Sequence, residues 1–255
     1  QVQVNQKKIY ENRIEDIENY LNLTNLKIIQ DETEFCFSID AVLLSHFTTF
    51  KNKAKVVDLG TGTGIIPLLL SARGFNEVVG LELNPKTADM AQRSFALNNL
   101  SDNLKVLNID LKEATTYLQA NHYDIVTCNP PYWSKDQGKI SDNKNIAMAR
   151  HELTVTLEEI IKTARRLLKY HGRFSMIHLP ERLTEIMTLL AKYKIEPKRL
   201  QLVQPFINKK PNLIMIEGIV GAKSGLEIME PFIIYKEDNT YTEMLNQYYM
   251  AAVED

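Results

Sequence analysis

The sequence predicts an α/β protein whose sheet is mostly parallel and carries helices on both faces. From residue 55 onward, short apolar segments typical of strands alternate with longer helical segments. Alternation of this kind produces right-handed crossovers between parallel strands. The last two predicted strands, 198–203 and 213–221, have no helix between them. We therefore expect them to form an antiparallel pair at one edge of the sheet.

The first fifty residues follow a different pattern. We predict a polar helix over 8–22, a hairpin of strands 27–30 and 34–37, and an apolar helix over 40–47. Residues 1–50 are therefore assigned to an N-terminal helix and hairpin extension, and residues 51–255 to the main domain.

Within the main domain, helix signals fix several boundaries. Asn84 before Pro85 is typical of a helix start. Thr156 and Glu159 form a capping-box pattern, and Gly172 is expected just past the end of that helix. The predicted helices are 65–72, 85–98, 112–120, 156–170 and 180–193, and the other predicted strands are 55–58, 77–83, 104–109, 123–128 and 173–179.

Composition excludes several classes of protein. Of the 255 residues, 44% are hydrophobic and 24% are charged, which is ordinary for a globular chain. The two cysteines, Cys36 and Cys128, exclude a disulfide framework and indicate the reducing cytoplasm. We expect no membrane span because no apolar run reaches the required length of about 18 residues. The five histidines lack zinc-ligand spacing, so we also expect no metal site.

Positive charge is concentrated in one part of the chain. The net charge is −2, yet residues 161–210 hold 12 basic and three acidic side chains, a net charge of +9. This asymmetry indicates either a face that binds a polyanion or a set of solvated helix faces.

A glycine-rich turn follows the first predicted strand of the main domain. It runs Asp58-Leu59-Gly60-Thr61-Gly62-Thr63-Gly64, so the glycines are spaced Gly-x-Gly-x-Gly. Asp58 would repel a pyrophosphate, whereas it suits the amino group and sulfonium of S-adenosylmethionine. The alternative is a tight strand-to-helix turn without a ligand.

Carboxylates also follow the next two strands. Glu82 is placed to accept hydrogen bonds from ribose hydroxyls, and Asp110 to accept one from an adenine amine. Glu82 could instead be a surface carboxylate near a helix start, and Asp110 alone is weak evidence for a site. Because the carboxyl ends of parallel strands meet at one edge, we expect Asp58, Glu82 and Asp110 to lie around one ligand.

The fourth strand ends in Asn129-Pro130-Pro131-Tyr132. The prolines fix the backbone, so the Asn129 side-chain oxygen and the Pro130 carbonyl can accept both hydrogens of a planar amine. Tyr132 offers a flat face on which a base can stack. The alternative is a proline-rich turn with no role in chemistry.

These motifs together resemble class I S-adenosylmethionine-dependent amino-methyltransferases. More narrowly, the chain resembles bacterial tRNA (adenine-N6)-methyltransferases that modify an adenine next to the anticodon of valine tRNA. Segments 37–44, 149–152, 211–213 and 217–218 carry the narrower resemblance, although Ser38 stands where a glycine is expected. The resemblance implies a Rossmann-like seven-stranded sheet, S-adenosylmethionine as cofactor, tRNA as partner and no metal. It leaves the oligomeric state open, with a monomer favoured.

The resemblance also places the extension 1–50 over the cofactor site. Together with the motifs and the basic segment 161–210, it gives the expected site residues. The expected catalytic residues are Asn129, Pro130, Pro131 and Tyr132. The expected cofactor contacts are Asp40, Asp58, Gly60, Gly62, Gly64, Glu82, Leu83, Asp110, Leu111 and Asn129. The expected substrate contacts are Arg150, His151, Lys192, Lys194, Lys198, Arg199, Lys209 and Lys210.

Two other functions stay open. The first is a protein glutamine N5-methyltransferase, because the side-chain amide of glutamine presents a planar NH₂ group like that of adenine. Such enzymes, however, carry a sizeable N-terminal helical domain. A non-catalytic RNA-binding protein could retain the fold, although it would not need Asp58, Glu82 and the Asn129-Pro130-Pro131-Tyr132 motif. Titration with S-adenosylmethionine separates the second alternative from an enzyme.

Overall fold

The structure, a computed structural model, describes residues 13–16, 26–31, 38–131 and 155–250. For residues 13–16, 249 and 250 only the backbone is described. The strands are β1 (Arg13–Asp16), β2 (Lys27–Gln30), β3 (Val56–Leu59), β4 (Val78–Leu81), β5 (Leu104–Leu107), β6 (Tyr123–Cys128), β7 (Leu168–His178), β8 (Ile195–Gln204), β9 (Leu213–Val220), β10 (Glu227–Ile228) and β11 (Phe232–Ile233). The helices are α1 (Ile39–Phe47), α2 (Ile65–Ala72), α3 (Pro85–Leu97), α4 (Ala114–Tyr117), α5 (Leu157–Leu167), α6 (Leu183–Lys192) and α7 (Glu243–Met250).

The central sheet has the strand order β5-β4-β3-β6-β7-β9-β8. Neighbouring strands from β5 to β7 are parallel, as the strand–helix alternation predicted. Strand β9 is antiparallel to both β7 and β8, which confirms the antiparallel pair at one edge. The two-residue strands β10 and β11 add to the outer side of β8, so the described sheet has nine strands where seven were expected.

This topology gives the sheet two distinct edges. Strand β8 runs parallel to β7, because both are antiparallel to β9. The carboxyl ends of β3, β4, β5, β6, β7 and β8 therefore lie along one side, which we call the carboxyl edge. The amino ends of the same strands lie along the opposite side, the amino edge.

The N-terminal prediction was partly wrong. Residues 13–16 form strand β1 and not part of a helix, and they pair antiparallel with β2. Strand β2 was predicted correctly, but its observed partner is β1; the expected partner, 34–37, lies outside the described residues. Over four residues an amphipathic pattern cannot distinguish a helix from a strand, because pairing between distant segments decides which one forms.

Most other predictions differ from the structure by only a few residues, with one exception. The helix predicted over 156–170 ends at Leu167, and β7 begins at the next residue. Residues 168–170 are therefore strand, and Gly172 lies within β7 and not past the end of a helix. Pairing of Leu168 with Tyr123 of β6 explains the early change, since it supplies the sheet with a long-range partner.

Local capping signals were confirmed. The Asn84 side-chain oxygen accepts from the backbone N–H groups of Lys86 at 3.0 Å and Thr87 at 3.2 Å. At the start of α5, the Glu159 N–H donates to Thr156 Oγ1 at 3.2 Å, and the Thr156 N–H donates to Glu159 Oε2 at 2.7 Å. These two reciprocal bonds satisfy helix donors that would otherwise lack partners.

Two apolar clusters cover the sheet, one on each face. Helices α1, α2 and α3 pack on one face, where Leu44, Leu68 and Phe95 are fully buried. Helices α5 and α6 pack on the other, around Ile161 and Leu190. In the described segments, no helix is long and apolar enough to cross a bilayer.

Candidate active site

The glycine-rich loop lies at the carboxyl edge, between β3 and α2. Gly60, Gly62 and Gly64 have φ angles of +67°, +59° and +89°, which residues with a Cβ atom rarely adopt. A Cβ atom at Gly60 or Gly62 would meet nothing within 4 Å, so space beside the loop is open. At Gly64 it would lie 2.8 Å from Phe95, so Gly64 permits close packing of α2 against α3.

Asp58 is fully buried in β3 beneath this loop. Its Oδ1 accepts a hydrogen bond from Thr127 Oγ1 at 2.7 Å, whereas Oδ2 has no partner among the described residues. Burial raises the pKa of Asp58 to about 7, because the charged form loses its hydration. An unpaired buried carboxylate oxygen fits a ligand that brings a positive charge.

Glu82 faces the same loop from the end of β4. Its Oε2 accepts the Gly62 N–H at 2.9 Å, and its Oε1 accepts the Asn84 N–H at 3.0 Å. Each carboxylate oxygen has two lone pairs, so Glu82 retains capacity to accept ribose hydroxyls. The bond to Gly62 joins two of the predicted cofactor residues directly.

The structure also describes Asp110, Leu111, Leu83 and Asp40, which are expected cofactor contacts. Asp110 caps a 3₁₀ turn at 111–113 by accepting the Lys112 N–H at 2.9 Å, and Leu111 beside it is buried. Leu83, after Glu82, is 45% exposed. Asp40 lies in the first turn of α1, which packs against α2 and β7.

A cavity of about 250 Å³ joins the loop to the end of β6. Gly60, Leu111, Pro130 and Pro131 are among the residues that line it. The structure therefore brings Gly60 of the glycine-rich loop and the two prolines of the motif to one cavity. Asn129 is half-buried and directly precedes the two prolines, between Cys128 and Pro130, which both line the cavity.

The polar wall of the cavity comes from residues that the sequence did not identify. His178, Arg182 and Glu185 line it together, and His178 Nδ1 accepts the Leu179 N–H at 2.7 Å. Burial lowers the pKa of His178 to about 4, and the nearby Arg182 charge contributes. The position of His178 at the end of β7 could have identified it, since every other site strand also contributes its carboxyl end.

Cys128 also lines the cavity, directly before Asn129. It is 2% exposed, and burial raises the pKa of its thiol well above the usual range. A thiol held in the protonated form is a poor nucleophile.

Three expected site residues lie outside the described part of the chain. These are Tyr132, Arg150 and His151. Their roles at the target base therefore stay predictions.

The six basic residues expected to bind substrate lie in different places. Arg199 forms a salt bridge with the fully buried Glu217, and Lys192 with Glu158. Lys198 donates to the Lys223 carbonyl oxygen at 3.0 Å. Lys192 is the last residue of α6, and Lys194 directly precedes β8 at the amino edge. Lys209 and Lys210 follow the end of β8 at the carboxyl edge.

Several relatives resemble this chain in sequence. A Porphyromonas gingivalis protein named tRNA1(Val) (adenine(37)-N6)-methyltransferase is 31% identical over 165 residues, which are 63% of this chain and 64% of that relative. The match thus spans slightly less than two thirds of the relative's length. A Bacteroides fragilis protein of the same name is 23% identical over 233 residues, which are 91% of this chain and 98% of the relative.

Solved structures share the fold. A crystal structure from Agrobacterium tumefaciens, described as a predicted O-methyltransferase, superposes with a TM-score of 0.69 at 21% identity and covers 85% of this chain and 98% of its own. A Thermotoga maritima protein described as a SAM-dependent O-methyltransferase has a TM-score of 0.52 at 15% identity, with 75% and 68% coverage. At these identities the likeness establishes the class I methyltransferase fold.

The sequence model of the methyltransferase small domain family matches residues 38–191, more than half of the chain. Fold and family agree with the predicted methyl donor, S-adenosylmethionine. The residues at the carboxyl edge fit it, because Asp58 offers an unpaired acceptor and Gly60 and Gly62 leave open space. The chain belongs to the methyltransferase small domain family.

Proposed function

We propose that the protein transfers a methyl group to the exocyclic N6 of an adenine in tRNA, next to the anticodon. One observation carries this proposal: Pro130 and Pro131 line the same cavity as Gly60. A motif suited to a planar amine thus lies beside the loop suited to the methyl donor. The names of the curated relatives support adenine N6 and tRNA as the target.

Four residues would hold the cofactor. Asp58 would accept a hydrogen bond from its amino group, and Glu82 would accept hydrogen bonds from its ribose hydroxyls. Gly60 and Gly62 have no side chains, so the cofactor can approach the backbone of the loop closely. When bound, S-adenosylmethionine supplies an electrophilic methyl group on a sulfonium.

The Asn129 motif would orient the amine. Acceptance of both amine hydrogens, by the Asn129 side-chain oxygen and the Pro130 carbonyl, leaves the nitrogen lone pair pointing away from the ring plane. The target base must leave its stack to reach this position, where Tyr132 would stack on it. The extra proton on the methylated nitrogen is lost afterwards, so rate enhancement comes mainly from positioning.

Replacement of Asn129 tests the proposal. We expect Asn129→Ala to reduce turnover at least about a hundredfold, because one of the two groups that position the amine is lost. Affinity for S-adenosylmethionine should stay within about twofold of the wild type. Mass spectrometry of tRNA nucleosides, after incubation with labelled S-adenosylmethionine, measures N6-methyladenosine directly.

Glu82→Ala is the matched variant for the cofactor half of the site. It should weaken S-adenosylmethionine binding by roughly 1.5–3 kcal/mol, the worth of a hydrogen bond to a charged group.

Retained turnover in Asn129→Ala would remove Asn129 from the mechanism. A wild-type protein that binds the cofactor but methylates glutamine in a protein, or nothing, would overturn the proposed reaction.

A further inference from the structure

The loop between β8 and β9, residues 205–212, contains no acidic residue and ends at the carboxyl edge. It follows the carboxyl end of β8, which runs parallel to β6 and β7. The loop therefore lies along the same edge as Asn129 and the glycine-rich loop. We call it the β8–β9 loop.

The backbone of this loop is held in place. Gln204 Nε2 donates to the carbonyl oxygens of Ile207 at 3.2 Å and Lys209 at 2.8 Å. The Lys209 N–H donates to the Phe206 carbonyl oxygen at 3.0 Å, and the Asn212 N–H to the Val203 carbonyl oxygen at 2.9 Å. Because these hydrogen bonds already order the loop, less conformational entropy is lost when it binds a partner.

The braced backbone presents both apolar and cationic side chains to solvent. Ile207 is 74% exposed, the largest exposed fraction among the large hydrophobic side chains of the described segments. Lys209 and Lys210 are exposed, and neither forms a salt bridge with a described residue. By contrast, Lys192 and Arg199 are neutralised by carboxylates and are less available to phosphates.

We propose that the β8–β9 loop binds the RNA strand next to the target nucleotide, with Lys209 and Lys210 on phosphates and Ile207 against an adjacent unstacked base. This inference rests on the proposed function, because it takes tRNA as the substrate. Phosphate contacts fix the register of a nucleic acid, and extraction of one base leaves its neighbours without a stacking partner. The exposed isoleucine can contact the base, and the two lysines, which form no salt bridge with a described residue, can contact the phosphates.

A pair of charge-neutralising variants tests the phosphate contacts. Lys209→Gln/Lys210→Gln should weaken tRNA binding at least about fivefold at low salt. It should also make the slope of log Kd against log salt shallower by about 1.4, since each phosphate contact to a single strand contributes about 0.7. The matched control, Lys53→Gln/Lys223→Gln, removes two exposed lysines at the amino edge, one before β3 and one after the carboxyl end of the antiparallel β9.

Filter binding of tRNA at several salt concentrations measures both quantities. Control affinity within about twofold of the wild type, together with the expected loss in the loop variant, supports the proposal. Equal losses in both double variants, or none in the loop variant, would overturn it. Wild-type protein that binds no tRNA would overturn the proposed function as well, so the two failures are distinguishable.

Ile207→Ala tests the base contact separately. We expect kcat for tRNA methylation to fall about tenfold, while the salt slope and the melting temperature stay at wild-type values. Ile228→Ala, in β10 and 68% exposed, is the control for loss of an exposed isoleucine and should leave kcat unchanged. Wild-type turnover in Ile207→Ala, or an equal loss in Ile228→Ala, would refute the base contact.

Discussion

Asp58 combines complete burial with a carboxylate oxygen that lacks a partner among the described residues. In a low-dielectric site an isolated negative charge is unfavourable, so burial raises the pKa of this carboxyl to about 7. The folded protein then holds a proton that the unfolded chain, with an ordinary value of 3.8, has lost. The contribution of Asp58 to stability therefore falls as the pH rises from about 4 to about 7 in the ligand-free protein.

Cofactor binding should reverse this effect, because a positively charged amino group favours the ionised carboxylate. Below pH 7 the ligand must displace the Asp58 proton, so its affinity should decrease as the pH falls, by up to about tenfold per unit. Calorimetric titration with S-adenosylhomocysteine between about pH 5.5 and 7.5 measures this dependence. Asp58→Asn should bind more weakly and show no such slope.

His178 lines the cavity beside the glycine-rich loop, but its pKa of about 4 lies below the range of this titration. A wild-type affinity that does not change over the range would contradict a direct contact between Asp58 and the amino group. An unchanged slope in Asp58→Asn would assign the titration to another group.

At the scale of secondary-structure elements, Glu217 of β9 connects three strands and a helix. Its carboxylate is fully buried and accepts hydrogen bonds from Arg173 of β7 at 2.9 Å and Arg199 of β8 at 3.2 Å. Thr49, just beyond α1, donates its hydroxyl to Glu217 at 2.7 Å, and Arg199 also stacks over the Phe47 ring at 4.4 Å. Burial alone would raise the pKa of Glu217, but the Arg199 and Thr49 contacts lower it below its usual value.

Glu217→Gln should therefore destabilise the fold strongly. It leaves two arginine charges without their buried counter-charge, for which we expect a loss of roughly 3–5 kcal/mol in the free energy of unfolding. Urea denaturation followed by circular dichroism measures it. Asp89→Asn is the control, because it breaks an exposed pair with Arg93 on α3 that is worth less than about 1 kcal/mol.

Similar unfolding free energies for Glu217→Gln and Asp89→Asn would show that the buried cluster contributes no more than a surface pair. The cluster also changes the interpretation of Arg199, which was expected to contact the substrate but is bound to the buried Glu217. A charge reversal at Arg199 would disrupt this packing, so loss of RNA binding in such a variant would not identify a direct contact. Lys209 and Lys210 allow a cleaner test, since their side chains are exposed.

At the scale of the whole molecule, α1 belongs to the same apolar core as the strands that carry the site. Val42, Leu43, Leu44 and Phe47 of α1 are each at most 3% exposed. The core thus extends upstream of residue 51, the expected start of the main domain, and the family match begins at residue 38. Coverage of the cofactor site by residues 1–50 stays a prediction.

Truncation tests how far the folding unit extends. The four buried side chains of α1 contribute about 1.5–3 kcal/mol each, a sum comparable to the whole stability of a domain. We expect a chain of residues 51–255 to lose cooperative unfolding, whereas residues 38–255 should retain a thermal transition. Differential scanning calorimetry of both chains, with the full chain as reference, distinguishes them. A cooperative transition in residues 51–255 would place α1 outside the folding unit.

Much of the architecture was determined by local signals in the sequence. Strand–helix alternation indicated the parallel sheet, and Asn84, Thr156 and Glu159 marked helix starts through bonds that span two or three residues. The sequence also indicated that the motif beginning at Asn129 and the loop at Gly60 lie at one edge, since parallel strands bring their carboxyl ends together whatever the details of packing.

Only the tertiary structure decided which charged groups are paired and which are available. Thr49 and Glu217 are 168 residues apart, so no local pattern could indicate that Arg199 is held in a buried cluster. The formation of strand β1 likewise depends on pairing between distant segments. So does the placement of Lys194 and Lys209 at opposite edges of the sheet. A carboxylate or ammonium group is identical in the sequence wherever it lies, and its pKa and its partners are set by the dielectric and the neighbours that folding supplies.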